Sequence, residues 1–117
     1  MDVTTATFER DVIERSHELP VVVDVWAPWC GPCRMLGPAI EAEVVKREGK
    51  LELAKIDVDS EQTLAAQYGI QSIPTVAVFR HGNPVSGFVG AHPAAAISRF
   101  LDETIDTHGA TAAATSA

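Results

Sequence analysis

The chain reads as an α/β protein, an open sheet with helices on both sides, and three observations predict it. Apolar runs of strand length alternate with segments whose apolar residues recur at helical spacing. At 117 residues it is one ordinary domain, long enough to bury a core. Both cysteines fall where a strand hands over to a helix, at the end of the sheet where such folds carry out their chemistry.

The elements follow in order. Thr7 is placed to cap a first helix, with Phe8, Val12 and Ile13 on its buried side. Pro20 to Trp26 is a β-branched, nearly all-apolar run, as expected of a central strand covered on both faces. A helix begins at the cysteines, and Leu36, Ile40 and Val44 mark its inner stripe. Leu51 to Val58 reads as a strand, and a short helix then starts at Asp59 or Ser60 and runs to about Tyr68, closed by Gly69. Thr75 to Arg80 and Val85 to Val89 form a hairpin around His81-Gly82-Asn83. His92-Pro93 opens the last helix, with proline at its first position and an apolar stripe of Ile97, Phe100, Leu101 and Ile105. With a further strand ahead of the first helix, the predicted order is β-α-β-α-β-α-β-β-α. From Gly109 the chain is low in complexity and is expected to be a disordered tail, 109–117, after a single domain, 1–108.

Composition narrows the function classes. Acidic residues outnumber basic ones by 16 to 9, a formal charge of −7 that opposes nucleic acid and anionic lipid. The start, Met1-Asp2-Val3-Thr4, lacks the basic and apolar pattern of a secretory signal, and no segment has the length of a membrane span. A cytoplasmic protein is therefore expected, and in a reducing compartment paired cysteines are more often catalytic than structural.

The two cysteines, Cys30 and Cys33, are the only ones in the chain. A metal site would need further ligands, and His17, His81, His92 and His108 are scattered without ligand spacing, so no metal is expected. A static bridge over so short a loop would stabilise the fold little. A dithiol that opens and closes fits the spacing: one thiolate attacks a foreign disulfide, and its neighbour resolves the mixed disulfide. Cys30, at the helix amino terminus, is the expected attacker because unpaired N–H groups and the helix dipole favour a negative sulfur there. Cys33, one turn in and expected to be more shielded, resolves. Gly31 is expected to permit a tight turn, and Pro32 to start the helix.

Asp24 interrupts an otherwise apolar strand, where a carboxylate is costly to desolvate. Either it points outward, or it is buried with a raised pKa and exchanges protons with Cys33. Lys55, on a neighbouring strand, either pairs with it or is simply exposed. Pro74 is either a plain strand-start residue or part of a cis peptide that leaves Ile73 free to bind an extended substrate. Trp26 suits core packing and Trp29 an exposed contact surface.

The run Trp26-Ala27-Pro28-Trp29-Cys30-Gly31-Pro32-Cys33 resembles the active-site signature of the thioredoxin family. Asp24, Lys55, Asp59, Tyr68-Gly69-Ile70, Ile73-Pro74-Thr75, Phe79, Gly82 and Val89-Gly90-Ala91 fall at similar spacings, and the likeness covers about residues 2–107. The resemblance implies a thioredoxin fold, a central mixed five-stranded sheet flanked by four helices, with the first three strands parallel and the last two antiparallel. It implies a cis proline at Pro74 and a buried carboxyl at Asp24 beside Lys55. Substrate proteins would rest on Trp29, Pro32, Ile73, Pro74, Val89, Gly90 and Ala91. The implied activity is that of a monomeric protein disulfide reductase with no bound cofactor, re-reduced by a thioredoxin reductase that uses NADPH. Pro28 and His92-Pro93 depart from the usual pattern. An oxidant or isomerase would use the same sulfurs, and a non-enzymatic binding subunit the same apolar surface.

Overall fold

The computed structural model describes residues 1–109, so the expected tail, apart from Gly109, lies outside the described residues. Gly109 itself is buried and closes the last helix through a hydrogen bond to Ile105. Strands β1 (Val21–Trp26), β2 (Glu52–Asp57), β3 (Thr75–Arg80) and β4 (Asn83–Val89) form one mixed sheet in the order β2-β1-β3-β4. β1 pairs parallel to β2 and antiparallel to β3, and β3 pairs antiparallel to β4. Helices α1 (Gly31–Val45), α2 (Gln62–Gln67) and α3 (Ala94–His108) follow β1, β2 and β4 respectively. A fourth helical segment precedes the sheet, a π-helical stretch Glu9–Glu14 running into a 3₁₀ turn Arg15–His17.

The five-stranded expectation is corrected to four strands among the described residues. Ahead of the first helical segment, Asp2 makes only an isolated parallel bridge beside Lys55, carried by Lys55 N–H to the Met1 carbonyl and Val3 N–H to the Lys55 carbonyl. Thr4 and Thr7 then bond to each other and turn the chain away before a strand can extend. That engagement also takes the Thr7 hydroxyl, so no side chain caps the helical segment.

Sheet pleating separates two cores. Val21, Val23 and Val25 point to one face and pack with Phe8, Val12, Ile56 and Phe79. Val22 points to the other and packs with Leu36 and Ile40 of α1, Leu53 of β2, Val76 and Val78 of β3, and Ile97 and Leu101 of α3. Asp24, two residues on, shares the Val22 side. Leu101 is completely buried, so Leu101→Ala is expected to cost about 3 kcal/mol in a urea unfolding titration at pH 7.

Several boundaries differ from the expected ones: β1 starts at Val21, β2 spans Glu52–Asp57 and α2 spans Gln62–Gln67, and two further differences lie at β4 and α3. β4 starts at Asn83 rather than Val85 because the hairpin turns through only His81-Gly82, both at positive φ (55° and 84°). This primed geometry matches the twist of the flanking strands. Pro84 is tolerated because β4 is an edge. Pro93 sits just outside α3, in extended backbone, rather than at its first position. Gly69, at φ 64°, ends α2 as expected.

Candidate active site

The end of the sheet that carries the dithiol is assembled by register. The carboxyl end of β1 lies beside the start of β3 (Val25 opposite Thr75), and Thr75 lies opposite Val89 at the end of β4. Loops from all three strands therefore converge where α1 begins.

Cys30 is the N-cap of α1, in extended backbone. Its sulfur accepts the Cys33 N–H at 3.2 Å, one of the amide donors a helix start leaves unpaired. Cys30 and Cys33 are joined in a disulfide, with Cα atoms 5.2 Å apart. The expected difference in shielding is not present in this oxidised form, since the two residues are 4% and 3% exposed. What distinguishes them is the N-cap position, where partial positive charge favours a thiolate at Cys30. Ala27 completes a small apolar nest, with Trp26, Val58 and Ile73 packed against it.

Gly31 is the first residue of α1, its φ is not positive, and a Cβ there would meet nothing within 4 Å. The backbone does not require glycine at this point, contrary to the tight turn expected of it. Pro32 follows on the exposed rim.

Asp24 is buried, 1% exposed, and neither carboxylate oxygen has a hydrogen-bond partner among the described residues. The outward-pointing alternative is thereby set aside. Burial pushes its pKa up to about 6, the Lys55 cation offsets part of that rise, and the Glu41 carboxylate adds to it. Asp24 and Lys55 are opposite one another in the β1–β2 register. Lys55 does not form a direct ion pair with Asp24, however. Its ammonium bonds to Glu41 of α1 at 3.0 Å and stands 5.0 Å from the centre of the Trp26 ring. Glu41 is a charged member of this site that sequence reasoning missed, because a glutamate on a helix reads as a solvated face.

The remaining expected residues form a rim. Trp29 is 67% exposed, and its indole N–H is tied to Asp59 at 2.7 Å. The Ile73–Pro74 peptide is cis, as the resemblance implies. Ile73 is half-buried, and its backbone enters no hydrogen bond among the described residues. Pro74 is buried, and its carbonyl accepts the Gly90 N–H at 2.8 Å, which docks the Val89-Gly90-Ala91 loop beside it. Val89 and Ala91 are exposed. Trp26 packs against the dithiol, half-buried, with its ring nitrogen unpaired among the described residues. No group of three or more His, Cys, Asp or Glu among the described residues could hold a metal ion. No helix among them is long and apolar enough to cross a membrane.

A reversible disulfide at a helix N-cap, on a sheet of this topology, defines a dithiol–disulfide oxidoreductase. A family model for thioredoxin matches residues 1–103. Thioredoxin of Porphyra purpurea is 44% identical over 103 residues, 88% of this chain and 94% of the relative. Thioredoxin 1 of Nostoc sp. is 43% identical over 101 residues, 86% of this chain and 92% of the relative. The bifunctional thioredoxin reductase/thioredoxin of Mycobacterium leprae is 41% identical over 105 residues, 90% of this chain but 22% of that longer protein. The chain belongs to the thioredoxin family.

Proposed function

We propose that this chain is a monomeric, cytoplasmic protein disulfide reductase, recharged with NADPH electrons by a thioredoxin reductase. The observation that carries this reading is the disulfide at the α1 N-cap, set in an apolar nest and ringed by exposed Trp29, Pro32, Val89 and Ala91. A target protein lays its disulfide against that rim, with Ile73, Pro74 and Gly90 completing the surface. The Mycobacterium leprae relative, whose name pairs reductase and thioredoxin in one chain, supports the choice of electron donor. The formal charge of −7 disfavours nucleic acid and anionic membranes as partners. Residues 1–108 form the working domain.

In the reduced protein the Cys30 thiolate attacks one sulfur of the target disulfide, and the other target sulfur leaves as a thiolate. Asp24 then takes the proton from Cys33, whose thiolate attacks the Cys30 sulfur. The second target thiolate departs and the Cys30–Cys33 disulfide closes. Two electrons pass to the target. Lys55, opposite Asp24, stabilises the ionised carboxylate.

The test is insulin reduction with NADPH and a thioredoxin reductase. Catalytic amounts of the chain should produce NADPH oxidation in step with insulin precipitation. No NADPH oxidation, from a protein whose disulfide dithiothreitol readily opens, would overturn the assignment of reductase as donor.

A further inference from the structure

Three residues of α1 lie at intervals of four, Cys33, Gly37 and Glu41, and so share one stripe of the helix. The stripe lies over β1 and β2, where Asp24 and Lys55 stand side by side. Gly37 is buried, and a Cβ there would meet one neighbouring atom within 4 Å, the Lys55 ammonium nitrogen at 3.7 Å. The lysine therefore runs along the helix in van der Waals range of this position. That ammonium ends on Glu41 at 3.0 Å, at the solvent side, while both oxygens of buried Asp24 remain without a partner among the described residues. The lysine therefore has two carboxylates to choose between and bonds to the outer one.

We propose that Glu41 is a positioning residue for the resolving step: by holding the Lys55 ammonium at the outer end of this line, it keeps that cation from closing on Asp24. An unpaired Asp24 carboxylate is a stronger proton acceptor than one in a direct ion pair. Lys55 from β2 and Glu41 from α1 are the charged groups that act on Asp24. The facing residue on β3 is apolar Val76, and Cys33 supplies the thiol. The proposal rests on the reading of Asp24 as proton acceptor, but it concerns only where the lysine is held.

The experiment follows the Asp24 carboxyl carbon by NMR through a pH titration of the oxidised full chain, in the wild type, Glu41→Gln, Lys55→Met and the double variant. Glu41→Gln should lower the Asp24 midpoint by about half a pH unit or more, as the freed ammonium moves inward. In the Lys55→Met background the same change should do much less. An unmoved midpoint in Glu41→Gln overturns the proposal. So does an equal shift in both backgrounds, which would make Glu41 a direct charge rather than a holder of the lysine. The pH profile of mixed-disulfide resolution, measured on the same variants, separates the two readings. If the NMR midpoint moves and the profile does not, Asp24 is removed from proton transfer and Glu41 from the resolving step, and only the holding of Lys55 by Glu41 stands.

Discussion

Cys33→Ser is expected to stop the reaction halfway, with one target molecule covalently held on Cys30 of each chain and catalytic turnover reduced to background. The serine hydroxyl cannot displace a sulfur under these conditions, so the mixed disulfide has no internal exit. Cys30→Ser should trap nothing through the same route and should be equally inactive. Its remaining thiol, one turn inside α1, lacks the N-cap position that favours a thiolate at residue 30. Non-reducing electrophoresis and peptide mass spectrometry of the two variants with a disulfide-bearing substrate would read the difference. Adducts on Cys33 at the rate expected for Cys30 would reverse the two roles.

Asp24→Asn is expected to make the protein more stable at pH 8 by roughly 3 kcal/mol, and to leave it unchanged at pH 4. The carboxyl is held near 6 in the fold, against 3.8 as its ordinary value, because burial penalises the charged form. At about 1.4 kcal/mol per pH unit, that gap of about two units sets the magnitude. The folded protein holds this proton more tightly than the unfolded chain. The stability tied to it is therefore complete below about pH 4, falls as pH rises to about 6, and stays lost above. Asparagine cannot ionise and escapes the loss. Urea titrations of both proteins at pH 4 and pH 8 check the sign, and a gain equal at both values would contradict ionisation as its cause. The same substitution should slow mixed-disulfide resolution near neutral pH while leaving substrate docking intact.

These two effects pull in opposite directions, which accounts for a carboxylate placed where it harms the fold. A Val at position 24 would continue Val21-Val22-Val23 without penalty. An acid with a midpoint near 6 can both accept and return a proton close to neutral pH. Under the proposed mechanism, stability is given up at that one position for proton transfer.

Much of this was legible in the residues. β1 announces itself by an apolar run, and Asp24 by interrupting it. The α3 stripe was read correctly because Ile97 and Leu101 recur at helical spacing, and both are fully buried. Other features depended on contacts that local sequence does not encode. Glu41 meets a lysine fourteen positions away on another element, and nothing in its neighbourhood marks it. β4 began early because His81 joins Gly82 at positive φ, a conformation uncommon outside glycine, so the turn needs no third residue. Among the described residues no fifth strand forms, because hydrogen bonds between Thr4 and Thr7 end the pairing after Val3. The isomer of the Ile73–Pro74 bond could not be decided from the residues themselves, and the family resemblance supplied it. The shielding assigned to Cys33 over Cys30 followed from helix position alone and is not what the closed disulfide presents.

The proposed mechanism requires that electrons travel through the Cys30–Cys33 pair. The direct measurement counts alkylatable thiols on this chain by mass spectrometry through one cycle. After NADPH and reductase, two thiols should appear together. On addition of excess insulin without further NADPH, both should vanish as insulin gains two. Insulin reduced while the pair stays closed throughout would contradict it.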